Sequence, residues 1–306
     1  MNIELRPYRD EQDLEGMRQL LMEGRKAAGP VYYVHPGDLN WWLYYLDQDF
    51  KNRIYLWGDE NYKTVMGWIL FSPSFGAFDV FISPDPGLCD QRIGLFVWAE
   101  EQMSRLVGEQ GGADLRTMWV SEHDHDLIAH LEGRGFTCSD YHLVYLQQPL
   151  NEEISKPDLP HGYCLRPVAG EQELEQRALV SHAAFGSSKP IADYIERYLR
   201  FMRSPVYKAE WDLVAVAPSG EFAAFCVGWL DEENQLGYFE PVGTHPNFRR
   251  RGLAAAVLRE GLCRMQVRGL LTASVCVESD NPPAQKLYEA LGFRKIHRLL
   301  TYVKVL

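Results

Sequence analysis

No two of the six cysteines (Cys89, Cys138, Cys164, Cys226, Cys263 and Cys276) stand at C-x-x-C spacing in this chain of 306 residues, so neither a disulfide framework nor a zinc site is suggested. No apolar run approaches the roughly 20 residues of a membrane span, and the segment from Met1 to Asp10 is too charged for a signal peptide. No membrane partner is therefore expected, and the expected compartment is the reducing cytoplasm. Basic residues are outnumbered, with 31 Lys and Arg against 42 Asp and Glu, and the net charge of −11 argues against nucleic acid as a partner while suiting a cationic one. No Ser/His/Asp or Cys/His pattern points to covalent catalysis.

What the chain does have is a run of three arginines with a glycine behind it. Arg249-Arg250-Arg251-Gly252-Leu253-Ala254 follows an apolar, strand-like stretch from Gly237 to Thr244 and opens a helical one from Leu253 to Met265. The apolar spacing of Leu253, Val257, Leu258, Leu262 and Met265 has helical periodicity. A glycine at such a turn lets backbone approach a ligand, and the first N–H groups of the helix lack internal partners. An anion of the pyrophosphate kind fits there. Each N–H bond to a charged oxygen contributes roughly 1.5–3 kcal/mol, and the helix terminus adds roughly 0.3–1 kcal/mol.

The chain also repeats itself. Leu5-Arg6-Pro7 recurs as Leu165-Arg166-Pro167, Gly67-Trp68 as Gly228-Trp229, and Gly135-Phe136 as Gly292-Phe293, in one order and at nearly one offset. Residues 1–150 then form a first copy, the proline-bearing stretch 151–162 a linker, and 163–306 a second copy. Each copy carries a strand, helical patterning, two hairpin-like strands, a long strand, a helix, a strand, a short helix and a closing strand. The expected fold is α/β, with a mixed sheet duplicated.

The second copy resembles the GNAT superfamily of acyl-CoA-dependent N-acyltransferases. Arg249-x-x-Gly252-x-Ala254 fits the R/Q-x-x-G-x-G/A signature of that family, and Asn281-x-x-Ala284-x-x-Leu287-Tyr288-x-x-x-Gly292-Phe293 resembles its second element. The resemblance implies, for each copy, a mostly antiparallel sheet with a central strand pair splayed apart and flanked by helices. It implies acetyl-CoA as cosubstrate, held along Val242, Gly243 and Thr244, with pyrophosphate on the amides from Arg250 to Ala255 and pantetheine beside Asn281 and Ala284. Arg249, Arg250, Arg251, Gly252, Leu253, Ala254 and Ala255 then form the cofactor cradle, and no metal is implied. Pro241 and Gly243 suit a bulge in the strand ahead of it.

An alkylamine has a pKa near ~10.4, so only about one molecule in a thousand is a free nucleophile at neutral pH. A base must take the proton, and Glu240, ahead of the cradle, is the candidate. Tyr288 is the candidate donor to the departing thiolate. The expected partner is a small-molecule primary amine, attacked directly, in a monomer or homodimer. A peptide or protein N-terminus, or a non-catalytic acyl-CoA sensor, is the alternative. The acceptor side is expected between Phe185 and Tyr207, with Tyr194, Arg197 and Tyr198 as candidates, and the aromatic stretch from Val31 to Tyr45 reads as core or interdomain seam.

The first copy departs from this pattern. Aligned through Pro84 and Pro246 it has no R-x-x-G core, and Asp85 and Asp90 would repel pyrophosphate. Aligned through Gly135 and Gly292, Leu131 stands for Tyr288 and Asp124 for Asn281. This copy is expected to be non-catalytic. The loop Glu122-His123-Asp124-His125-Asp126 reads as a solvated acidic turn rather than a metal site, because adjacent residues on a loop seldom converge on one ion.

Overall fold

The computed structural model of the chain describes residues 4–29, 33–46, 48–58 and 64–306. The N-terminal half runs β1 (Leu5–Pro7), α1 (Glu11–Ala28), α2 (Pro36–Asn40) continuing into a π-helical turn (Trp41–Tyr45), β2 (Ile54–Gly58), β3 (Val65–Ser72), β4 (Ala77–Ile82), α3 (Cys89–Glu109), β5 (Asp114–Ser121), α4 (His125–Gly133) and β6 (Thr137–Pro149). The C-terminal half follows with β7 (Cys164–Pro167), α5 (Leu174–Ala184), α6 (Ile191–Met202), β8 (Asp212–Val216), β9 (Phe222–Asp231), β10 (Leu236–Thr244), α7 (Leu253–Val267), β11 (Thr272–Glu278), α8 (Pro282–Ala290) and β12 (Arg294–Val305).

The repeat seen in sequence is a repeat of contacts. Arg6 donates to Pro7 O at 3.1 Å and pairs with Asp13, whose carboxylate also takes the Arg9 amide at 2.8 Å. Arg166 donates to Pro167 O at 3.0 Å and pairs with Glu173, which takes the Ala169 amide at 2.7 Å. The later match holds as well. Asp124 caps α4 by accepting from the Leu127 amide, and Asn281 caps α8 by accepting from the Ala284 amide. Phe136 N–H returns to Leu131 O at 3.0 Å, as Phe293 N–H does to Tyr288 O at 3.1 Å.

Among the described residues all twelve strands lie in one sheet, in the order β1-β2-β3-β4-β5-β12-β6-β11-β10-β9-β8-β7. The halves exchange their closing strands. Strand β12 runs antiparallel to β5 of the N-terminal half, from Val305 opposite Asp114 to Leu299 opposite Ser121. Strand β6 runs antiparallel to β11 of the C-terminal half, from Thr272 opposite Pro149 to Glu278 opposite Leu143. The two exchanged strands also pair with each other. Their position explains their sequence: Leu143 to Leu146 are buried four in a row, as suits a central strand covered on both faces.

Helices cover both faces of each half. In α7 the residues Leu253, Val257, Leu258, Leu262 and Met265 are buried against β8, β9 and β10, each contributing about 1.5–3 kcal/mol relative to exposure. The N-terminal aromatic stretch forms the seam between halves. The ring of Tyr45 meets those of Tyr194, Tyr198 and Phe201, and Trp41 stacks on Tyr45 at 3.8 Å while meeting Phe201 edge-on. Val31 and Tyr32 lie outside the described residues.

Candidate active site

Strands β10 and β11 pair in parallel only from Leu236–Thr272 to Tyr238–Ser274, and beyond that point they diverge. The cause is local. The register of β10 on β9 shifts between Phe239 and Val242, so Glu240 and Pro241 form a bulge where the sequence placed one, and among the described residues Val242, Gly243 and Thr244 then pair only with β9. Their free edge faces the gap.

The chain turns after His245, and α7 starts at Leu253 with no side-chain cap. Arg250 and Gly252 adopt left-handed backbone, with φ of 62° and 76°. At Gly252 a side chain would be strained, and the space beside its Cα is open. Among the described residues, none of the amides from Arg250 to Ala255 donates to a protein acceptor; the first helical bond is Ala256 N–H to Gly252 O. These are donors suited to an anion. The arginines divide their work. Arg249 donates to Ala184 O at 2.9 Å, and Arg251 to the Tyr163 hydroxyl at 2.9 Å and to Asn247 O at 3.2 Å, so both brace the loop. Arg250 is exposed.

Below the splay lies a cavity of about 460 Å³ that Glu240, Pro241, Val242, Asn281, Ala284 and Tyr288 help to line. The two candidate chemical groups thus share one space. Burial, and then the charge of Glu240, push the Tyr288 hydroxyl well above its usual range, so it is protonated and able to donate. Asn281 spends its side-chain oxygen on the Ala284 amide, 3.3 Å away, and so fixes the start of α8. Cys276, which no motif pointed to, stands in the same wall. Its thiol is pushed up by desolvation first and by the charge of Glu240 next, which leaves it a poor nucleophile.

Much of the remaining wall belongs to the other half. Trp41, Met118, Trp119, Tyr141 and Leu143 line the cavity, joined from the C-terminal half by Phe185. Of the acceptor candidates on α6, Tyr198 is buried and donates to Asp212 at 2.6 Å, within an ion pair of Asp212 with Arg177. Tyr194 is buried against Tyr45 and His182, and Arg197 is half-buried outside the cavity lining.

Residues 181–293 match the acetyltransferase (GNAT) family. The mycothiol acetyltransferase of Saccharomonospora viridis is 28% identical over 201 residues, covering 63% of this chain and 65% of that protein. The mycothiol acetyltransferase of Acidimicrobium ferrooxidans is 29% identical over 215 residues, covering 63% of this chain and 66% of its own length. Both alignments thus span just under two thirds of the relative. A tandem GNAT protein from the clavulanic acid biosynthesis pathway superposes with a TM-score of 0.68 at 16% identity, over 99% of this chain and 98% of that one. Residues 181–293 therefore carry a GNAT-family domain, in a chain that has the fold of a tandem GNAT protein. The likeness in structure establishes the duplicated fold.

The loop at Glu122 does something other than stand free in solvent. Glu122 accepts from the Arg298 amide at 2.7 Å and from its guanidinium at 2.8 Å, and so fastens β12 to the end of β5. Glu122, His123 and His297 offer ligand atoms within 4.8 Å of one another, but the Glu122 oxygens are already engaged by Arg298. Of the remaining loop residues, Asp124 caps α4. No helix among the described residues is long and apolar enough to cross a membrane.

Proposed function

We propose that this protein is a GNAT-family N-acetyltransferase that passes the acetyl group of acetyl-CoA directly to a primary amine of a small molecule, using the C-terminal half as its catalytic unit (163–306, after a linker at 151–162). The observation that carries this reading is the meeting of Glu240 and Tyr288 in one cavity at the foot of the splayed strands. The residues present fit the cosubstrate. Unpartnered amides from Arg250 to Ala255 would take its pyrophosphate, the free edge from Val242 to Thr244 would take its pantetheine arm, and Ala284 leaves room beside that arm.

Acetyl-CoA, when bound, supplies an activated acyl group and a thiolate leaving group. Glu240 then takes a proton from the acceptor nitrogen, and Tyr288 gives one to the departing sulfur. Cys276, held protonated, leaves direct transfer as the chemistry. The enclosing wall from the N-terminal half favours a small acceptor over a peptide chain, and the names of the two curated relatives point the same way. Carboxylates in the wall suit an ammonium group.

The test measures thiol release from acetyl-CoA with a panel of small amines and N-terminal peptides, beside equilibrium dialysis with CoA. Small amines are expected to turn over. The variant Gly252→Asp, which places an anion and a strained side chain in the cradle, is expected to weaken CoA binding at least tenfold. Unchanged binding in that variant would remove the cradle assignment, and CoA binding without turnover on any amine would favour a sensor.

A further inference from the structure

Among the described residues the carboxylate of Glu240 has two polar side-chain neighbours, and one comes from the other half. Tyr238 donates its hydroxyl to Glu240 Oε2 at 2.9 Å. Asp38, at the centre of α2, is the other: its neighbour His35 stacks on Tyr238, which places the Asp38 carboxyl close enough for Glu240 to act on it. Both are held from several sides. The ring of Tyr238 lies between His35, stacked 4.7 Å away, and Tyr145, stacked 5.9 Å away. His35 gives its amide to Asp38 Oδ2 at 2.7 Å and accepts the Gly37 amide at 3.0 Å, so α2 starts in a closed capping box. Gly37 lets this turn approach β9: a Cβ there would lie 2.5 Å from the Trp229 ring. Trp229 in turn donates to the main-chain oxygen of Glu240 at 2.7 Å.

Two carboxyl groups in contact at this depth cannot both be charged. Burial, followed by the charge and hydrogen bond of Glu240, holds Asp38 well above the usual carboxylate range. Arg25, on α1, works in the opposite direction and is outweighed; it stands 3.7 Å from Asp231 and donates to Val34 O. The other titratable groups around the pair are His35, Tyr145, Tyr238, Cys276 and Tyr288, and burial keeps the His35 imidazole neutral.

We propose that Asp38 is a positioning residue for Glu240, sharing one proton with it across the seam, so that the acid–base centre of the C-terminal half is completed by the N-terminal half. The neutral Asp38 donates to Glu240 and leaves Glu240 as the carboxylate facing the cavity. At rest the pair holds one proton and one negative charge. When Glu240 takes the acceptor's proton the pair becomes neutral, and the extra proton returns to solvent before the next turnover. This inference rests on Glu240 as the base.

The test has a spectroscopic arm and a kinetic arm, both on the full chain carrying Asp79→Asn, which removes a second buried carboxyl. Infrared difference spectra across pH should show a protonated carboxyl in the parent at neutral pH. That band should disappear in Asp38→Asn and titrate away at lower pH in Glu240→Gln, where the neighbouring charge is gone. With acetyl-CoA and a small amine that turns over, Asp38→Ala should lower kcat about tenfold or more with little change in KM. Asp38→Asn, which can still donate to Glu240, should recover most of that loss and change the shape of the pH profile. Equal losses in the two variants with unshifted profiles, or a carboxyl band that survives Asp38→Asn, would overturn the proposal. Full turnover in Glu240→Gln would instead overturn Glu240 as the base, while the band still reports whether the two groups share a proton.

Discussion

In the C-terminal half, 14 positions separate Phe239, the register partner of Gly228, from Leu253 at the head of α7. In the N-terminal half only 7 separate Ile82, the partner of Gly67, from Cys89 at the head of α3. The extra length holds the bulge, the free edge of β10 and a loop with two left-handed residues, the parts of the proposed cradle. The shorter connection instead passes through Asp85, which accepts the Gly87 amide at 2.8 Å, and places Asp90 in the first turn of α3. Strands β4 and β5 are paired at Ala77 and Arg116, and beyond that pair Asp79 accepts from Tyr33 at 2.9 Å and from Thr117 of β5 at 3.4 Å. Two copies of one fold thus differ by the length and charge of one connection, and the half without a cradle contributes a wall and a carboxyl to the other.

The largest effect expected from breaking this arrangement comes from ending the chain after Phe293. Without β12, both β5 and β6 gain an unpaired edge, so both halves should lose their cooperative unfolding transition, measured by circular dichroism with urea. A surviving transition from one half would show that the exchange is dispensable. Next, Tyr288→Phe is expected to lower kcat about 100-fold in the thiol-release assay, whereas Leu131→Met, at the matching position of the other half, should change it less than about twofold. Comparable losses would mean that both halves do chemistry. Equilibrium dialysis should then count one CoA per chain; two would erase the distinction between the connections.

The smallest effect concerns Asp79. Burial raises its carboxyl to about 7, against the opposing bonds from Tyr33, the Val80 amide and Thr117. The folded state therefore holds this proton more tightly than the unfolded chain does. Its stabilising contribution is complete below a pH of about 4 and is lost as pH rises to about 7, an effect of a few kcal/mol. Asp79→Asn should flatten the urea stability profile across that window, and an unchanged slope would show that Asp79 is charged when folded.

Local patterns were legible where neighbours in sequence are also partners in space. The Arg6–Asp13 and Arg166–Glu173 pairs, the Asn281 cap, the bulge at Pro241 and the apolar face of α7 each need only a few consecutive residues. The alignment of Pro84 with Pro246 misled, because sheet register places Pro84 two residues past its anchor and Pro246 seven past. Tyr198 read as an acceptor contact because an amphipathic helix does not reveal that Asp212 waits beneath it.

The sequence by itself determined the duplication and the order of elements, and pointed to the second copy as the one with the proposed cradle, since these follow from short motifs and their spacing. Only the tertiary structure decided which strand completes which half. Strands β6 and β12 carry similar apolar patterns and could close either copy, and the choice depends on register and burial across the whole sheet. It also brought Asp38 to Glu240, about 200 residues away in the chain. A buried carboxyl beside another is costly alone and persists only because α2, β9 and β10 pack around the shared proton.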